Sequence, residues 1–227
     1  MTRLIAALDT TDPAQAKTWA RAVGSHCAML KLGLEYYLAQ GSEGVRAIGT
    51  RPVFLDLKLH DIPATVAGAV RAVLPLAPAM LTLHASGGTA MIEAARRAAD
   101  DAVGPAPLLL GVTVLTSLDA TALAATGVAG GPRQQVLRLA RLALAAGADG
   151  LVCSAREVAM LRDALGNAPV LVVPGIRPQG SPLGDQARAA TPREAVEAGA
   201  DWIVVGRPIT GAADPAATAA AIAAELA

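Results

Sequence analysis

The sequence predicts an α/β protein: a closed (β/α)8 TIM barrel, with residues 1–227 forming a single domain. Three observations predict it. Short apolar β-type runs alternate with longer, alanine-rich helical stretches eight times in succession. Residues capable of chemistry gather just beyond the ends of the apolar runs, where the loops of such barrels carry function. The length of 227 residues suits one barrel, since these run to about 250 residues without splitting.

The elements follow in order. Leu4 to Leu8 is the first strand run, and a helix follows Asp12-Pro13. Ala28 to Leu32 is the second, with a helix from about Glu35. Pro52 to Leu57 is the third, with a helix beginning near Ile62-Pro63. Met80 to His84 is the fourth, before a helix through Glu93 and Arg97. Leu108 to Val114 is the fifth, separated by a longer connection from a helix over Arg133 to Ala145. Asp149 to Cys153 is the sixth, with a helix over Glu157 to Leu165. Val170 to Val173 and Trp202 to Val205 are the last two, and an alanine-rich helix closes the chain. The phrases Ala145-Ala146-Gly147-Ala148-Asp149 and Glu197-Ala198-Gly199-Ala200-Asp201 each end a helix at glycine and enter a strand. Arg177 to Thr191 lacks periodicity and reads as a loop over the site, an active-site lid rather than a linker.

Composition limits the partners. Hydrophobic residues make up 53% of the chain and aromatics 2%, so Leu, Val, Ile and Ala must fill the core. Nineteen basic residues balance nineteen acidic ones, so no overall field draws the chain to nucleic acid or to an anionic membrane. No apolar run is long enough to span a bilayer. Polar and charged residues interrupt the N-terminus by Asp9, before a signal-peptide core forms. Cys27 and Cys153 have no CxxC partner and read as reduced structural thiols of a cytoplasmic protein. His26, His60 and His84 are too scattered for a zinc signature, so no metal is expected.

Strand alternation then sorts the third run. Val53, Leu55, Leu57 and Leu59 share the parity that packs outward. Phe54, Asp56, Lys58 and His60 share the one that faces the barrel interior or its mouth. The same parity groups Ile5, Ala7 and Asp9, and Met29 with Lys31. Asp9, Lys31, Asp56 and Lys58 are therefore expected to converge on one mouth. Charges are rarely buried unpaired, so four together read as a preorganised site or as a structural salt-bridge network. Asp61 has two readings, a helix N-cap before Ile62-Pro63 or a member of the charged run. His60 and His84 read as packing or hydrogen-bonding groups. At Val204-Val205-Gly206-Arg207-Pro208 a strand ends at glycine and a helix begins. That junction suits a phosphate, with Arg207 supplying charge. Arg177 and Gln186, on the expected lid, could close over the same phosphate.

Over nearly its whole length the sequence resembles bacterial orotidine 5′-phosphate decarboxylases. The resemblance rests on Ala7-Leu8-Asp9, Lys31-Leu32-Gly33, the run Phe54 to Pro63 (FLDLKLHDIP), Leu81-Thr82-Leu83-His84-Ala85, Val114-Leu115-Thr116-Ser117, Pro174-Gly175-Ile176-Arg177-Pro178, Gln186 and Val205-Gly206-Arg207. It implies decarboxylation of orotidine 5′-phosphate to uridine 5′-phosphate in pyrimidine biosynthesis, without metal or cofactor. Asp9 would hold a ribose hydroxyl. Lys31 would orient Asp56 and touch the ribose. Asp56 would sit beside the substrate carboxylate, and Lys58 would protonate the carbon left when CO2 departs. Asp61 and Thr65 would reach into the neighbouring subunit's site, which makes a homodimer with shared active sites the working unit. Leu115 and Pro174 would line the pyrimidine pocket, with Thr116 in the segment beside the base. Arg177, Gln186, Gly206 and Arg207 would bind the phosphate. Ala64 and Leu59 depart from the family pattern, which has an asparagine and an aromatic there. Neither position carries charge in the implied reaction.

Two rival readings remain at this level. A magnesium-dependent sugar-phosphate decarboxylase or aldolase of the same superfamily shares an Asp-x-Lys-x-x-Asp run, although His60-Asp61-Ile62-Pro63 favours the pyrimidine enzyme. A non-catalytic barrel that binds a phosphate ligand is the rival outside enzymes.

Overall fold

The computed structural model describes residues 3–178 and 190–226. Eight strands run parallel in chain order: β1 (Leu4–Ala7), β2 (Met29–Gly33), β3 (Val53–Leu59), β4 (Met80–His84), β5 (Leu108–Val112), β6 (Gly150–Val152), β7 (Val170–Val173) and β8 (Trp202–Val205). Each pairs with the next, and β1 pairs with β8 to close the barrel. The predicted TIM barrel is the fold observed.

The main helices are α1 (Pro13–Val23), α2 (Leu34–Ala47), α3 (Pro63–Val73), α4 (Thr89–Asp100), α6 (Pro132–Ala145), α7 (Ala155–Leu165) and α10 (Pro215–Glu225). Three further helices are short: α5 (Ala120–Ala125), which was not anticipated, and α8 (Pro192–Glu197) and α9 (Arg207–Thr210), which fall where the sequence ends a helix at Gly199 and begins one after Gly206. Most helix starts have a local cause. Asp12, Asp119 and Asp214 each accept a backbone N–H of the first turn, and Pro opens several of the helices. Two strand limits differ from expectation by two residues. β3 runs to Leu59 rather than Leu57, and β5 stops at Val112 rather than Val114.

Alternation divides the core into two layers, as in barrels generally. Leu4, Leu30, Leu55, Leu81, Leu151 and Ile203 point outward into the helices. Ile5, Ala7, Met29, Phe54, Met80, Leu110, Val172 and Val204 fill the interior. Phe54, the chain's one phenylalanine, is 2% exposed there.

At the N-terminal end of the barrel, two clamps repeat one geometry. Arg96 of α4 donates to Asp149 Oδ2 at 3.0 Å, and the Leu109 N–H donates to the same oxygen at 2.8 Å. Two β/α units later, Arg162 of α7 donates to Asp201 Oδ2 at 2.6 Å, and the Leu171 N–H reaches that oxygen at 2.7 Å. Each arginine stem lies against the glycine after the intervening helix. A Cβ on Gly147 would sit 3.1 Å from Arg96 Cγ, and one on Gly199 would sit 3.0 Å from Arg162 Cγ. Both glycines also have positive φ, 96° and 107°, which side-chain-bearing residues rarely adopt. The two Ala-Gly-Ala-Asp phrases are thus one device used twice.

Candidate active site

At the opposite end, β1, β2 and β3 deliver four charges to one mouth. In-register pairing sets Ala7 beside Lys31 and Gly33 beside Asp56. Lys31 Nζ lies 2.9 Å from Asp9 Oδ1 and 3.6 Å from Asp56 Oδ2. Lys58 Nζ is 2.8 Å from both Asp56 oxygens. The convergence expected from strand parity is therefore observed, as a chain Asp9–Lys31–Asp56–Lys58. Gly33 makes room for it, because a Cβ there would come within 2.7 Å of Asp9 Oδ1 and 3.0 Å of Lys31 Nζ.

The Asp56 side chain is largely enclosed, 14% exposed. Burial works against its charge. Lys31 and Lys58, with hydrogen bonds from Lys58 and Thr82, outweigh burial and hold its carboxyl below the ordinary carboxylate range. Asp56 is ionised near neutral pH for that reason.

Lys58 has a backbone φ of 49°, a left-handed conformation that costs a residue with a side chain about 1–3 kcal/mol. The cause is a break in the β3–β4 ladder. Leu55 pairs with Leu81 and Leu59 with Leu83, so three residues of β3 oppose one residue of β4. Simple alternation ends there. Asp56 and Lys58 still reach the central cavity, but His60 turns to a neighbouring one beside His84, with ring centroids 5.3 Å apart. Burial, then His60 and Lys58, lower the His84 pKa against the opposing pull of Asp56.

The central cavity, about 170 Å³, lies above the apolar interior. Lys31, Asp56 and Lys58 occupy one side. Val112, Val114, Val152, Val172 and Pro174 supply an apolar wall. A planar ring with one anionic substituent suits such a space, apolar against the ring faces and cationic where charge develops. Among the described residues, no three His, Cys, Asp or Glu side chains come together to hold a metal ion.

Comparison with known proteins gives this geometry a lineage. Residues 2–222 match the family described as orotidine 5′-phosphate decarboxylase / HUMPS. The chain belongs to this family. A protein of Gluconobacter oxydans named orotidine 5′-phosphate decarboxylase is 57% identical across 100% of this chain and 98% of its own length. One of Thermobifida fusca with the same name is 55% identical, over 97% of this chain and 94% of its own. The crystal structure of orotidine 5′-phosphate decarboxylase from Lactobacillus acidophilus superposes with a TM-score of 0.89 at 36% identity, covering 100% and 99% of the two chains.

The other residues expected from the family pattern fall as follows. Leu115, Thr116 and Pro174 line the central cavity, and Leu115 is 36% exposed. Arg177 is buried, and its guanidinium donates to the carbonyl of Ile176. Burial, then nearby Arg207, pull the Arg177 pKa down. The two arginines therefore share one neighbourhood and repel, a place that an anion would stabilise. Gly206 caps α9, which is a single turn. The macrodipole of one turn is small, so this helix start alone offers an anion little. Gln186, and with it most of the expected lid, lies outside the described residues. The described ends of that segment meet where Ile176 bridges to Ala190.

Asp61 and Thr65 are exposed and stand apart from this cavity. The N-cap reading of Asp61 is overturned. Ile62 is the cap residue of α3, because the following Pro63 holds it extended, and no side chain caps the helix. Among the described residues, the Asp61 carboxylate accepts the adjacent Ile62 N–H, at 2.6 Å. Both cysteines are buried and free, and burial raises both thiols, Cys27 to about 12. Burial therefore favours the protonated thiol at both positions. Thr82 was missed as a site residue. It donates to Asp56 Oδ1 at 2.9 Å and accepts the Lys58 N–H at 2.9 Å. An inward-parity threonine between apolar strand residues was the available signal.

Proposed function

We propose that the chain decarboxylates orotidine 5′-phosphate to uridine 5′-phosphate and CO2, with Lys58 as the proton donor and neither metal nor cofactor. The Asp56–Lys58 contact at 2.8 Å, set against an apolar wall, is the observation that carries this reading. The carboxy-lyase class is that of the relatives named above.

The chemistry needs those groups. When the C6–carboxylate bond breaks, its electron pair stays on C6 as a localised carbanion while CO2 leaves. Lys58 can stabilise that charge as an ammonium, then transfer its proton to C6 and be left as a neutral amine. Asp56 would stand beside the substrate carboxylate and repel it. At about 4 Å and an effective dielectric of 20 that repulsion is roughly 4 kcal/mol. Enzymes lower barriers by about 8–23 kcal/mol or more, so repulsion is a minor share. Lys31 further reduces it by holding Asp56 at 3.6 Å. The larger burden falls on Lys58.

In this reading Asp9 and Lys31 take the ribose hydroxyls. Leu115, Thr116 and Pro174 border the pyrimidine. Arg177, Gln186, Gly206 and Arg207 take the phosphate. Asp61 and Thr65 complete a partner's site in a homodimer. Support for the dimer comes from the exposed segment after β3, where Ile62 is 67% exposed between them. The setting is cytoplasmic, in keeping with the buried free thiols. Among the described residues, no helix is long and apolar enough to cross a membrane.

The deciding experiment follows the absorbance of orotidine 5′-phosphate after addition of pure protein in excess EDTA. The expected result is complete conversion to uridine 5′-phosphate. Turnover that disappears in EDTA and returns with Mg²⁺ would favour the sugar-phosphate rival. Tight nucleotide binding without CO2 release would favour the non-catalytic one.

A further inference from the structure

Thr82 lies in the middle of β4 and is fully buried. Alternation turns it inward with Met80, while Leu81 and Leu83 pack outward. The break in the β3–β4 ladder leaves Asp56, Leu57 and Lys58 together opposite this one residue. Its hydrogen bonds have forced directions. The Lys58 N–H, 2.9 Å away, can only donate, so Thr82 Oγ1 accepts it. The single hydroxyl proton is then left for Asp56 Oδ1, also at 2.9 Å, and a carboxylate can only accept.

We propose that Thr82 is a positioning residue for the Asp56–Lys58 pair, its hydroxyl tying the left-handed backbone of Lys58 to the carboxylate that Lys58 grips. The hydroxyl replaces the ladder acceptor that Lys58 loses at the bulge. It also fixes the plane of the Asp56 carboxylate, and so the direction from which the Lys58 ammonium points into the cavity. Thr82 touches no reacting atom. It acts through two groups that do, and a buried polar bridge of this kind fixes geometry more than it adds affinity. Valine has the same shape without the hydroxyl, and leaves the Lys58 N–H and Asp56 Oδ1 each short of a buried partner. Serine keeps both hydrogen bonds.

The kinetic consequence rests on the decarboxylase reading, so the test has one arm with substrate and one without. With orotidine 5′-phosphate, T82V should lower kcat roughly 10- to 100-fold with little change in KM, because small misplacements of reacting groups cost about that much. T82S should stay within about threefold of the parent chain. In the ligand-free protein, the ¹³C carboxylate resonance of Asp56 should titrate at higher pH in T82V and unchanged in T82S. An inactive parent chain would remove the decarboxylase reading but leave the titration arm standing. Unchanged kcat and unchanged titration in folded T82V would overturn the proposal. So would equal losses in T82V and T82S. Failure of both T82V and T82A to fold would assign the hydroxyl to stability and overturn it as well.

Discussion

Aspartates mark both ends of the barrel, and their surroundings differ in kind. At the N-terminal end, Asp149 and Asp201 each meet one arginine and one strand N–H. Each carboxylate has one arginine, Arg96 reaching Asp100 as well, and glycines admit the arginine stems. At the mouth, Asp56 is shared by two lysines, Lys58 has a strained backbone, and Arg177 lies close enough to Arg207 for the two to repel. The floor is electrostatically closed. The mouth is open toward an anionic ligand. In barrels of this kind the bottom end serves stability and the top end serves chemistry, and here that division follows from the pairing of a few named charges.

The comparison breaks most sharply at Lys58. K58A should lower turnover of orotidine 5′-phosphate by roughly 10⁴-fold or more, the combined scale of a lost general acid and a lost cation at developing charge. Nucleotide binding should persist, and the melting temperature should change little, since alanine keeps a Cβ at the left-handed position. Turnover within tenfold of the parent chain would remove Lys58 from the chemistry. The same variant probes sharing between subunits. Mixed with inactive D61A, it should recover about a quarter of parental activity, since half the dimers are mixed and each holds one intact site. No recovery despite proven subunit exchange would confine Asp61 to its own chain.

The floor should respond in the opposite way. D201A removes the carboxylate that pairs with Arg162 and accepts the Leu171 N–H, leaving Arg162 its backbone acceptors at Gly199 and Pro169. Leaving a part-buried guanidinium and a strand N–H short of a partner costs about 1–3 kcal/mol, reduced here because the carboxylate is 41% exposed. Denaturant unfolding should show that loss while kcat stays near the parental value. A large drop in kcat with unchanged stability would erase the distinction between the two ends.

Much of this contrast was legible in the sequence because both ends are set by local rules. Period-two alternation placed Asp9, Lys31, Asp56 and Lys58 together, and glycine before aspartate announced both floor junctions. What the sequence hid depends on pairing across strands. The bulge that leaves Lys58 left-handed arises from the β3–β4 register, and nothing in the run Asp56 to Asp61 announces it. Thr82 has its partners on another strand. Arg96 and Arg162 lie 53 and 39 residues from the carboxylates they hold. Asp61 was ambiguous because an aspartate just before Xaa-Pro looks like a cap, and only the extended conformation of Ile62 moves the helix start one residue on. The short helix α5 has six residues, too few for a helical period to stand out from a loop.

The smallest expected effect also separates the two ends, through pH. His84, near the mouth, has its pKa lowered by burial first, then by His60 and Lys58, with Asp56 opposing. The unfolded chain therefore binds this proton more readily than the folded one. Its contribution to stability is fully present above the ordinary histidine value of 6.5 and declines as pH falls through the window below it. Asp56 has the same sign at lower pH. Its carboxyl is held below the ordinary aspartate value of 3.8, so its contribution is lost only as pH drops beneath that value. H84N should therefore flatten the decline in melting temperature between about pH 6.5 and 5, and leave the steeper fall at more acid pH in place. If H84N and the parent chain trace parallel curves through that window, the neutral state of His84 contributes nothing. The acid sensitivity of the mouth would then rest on Asp56 and the lysines that hold it.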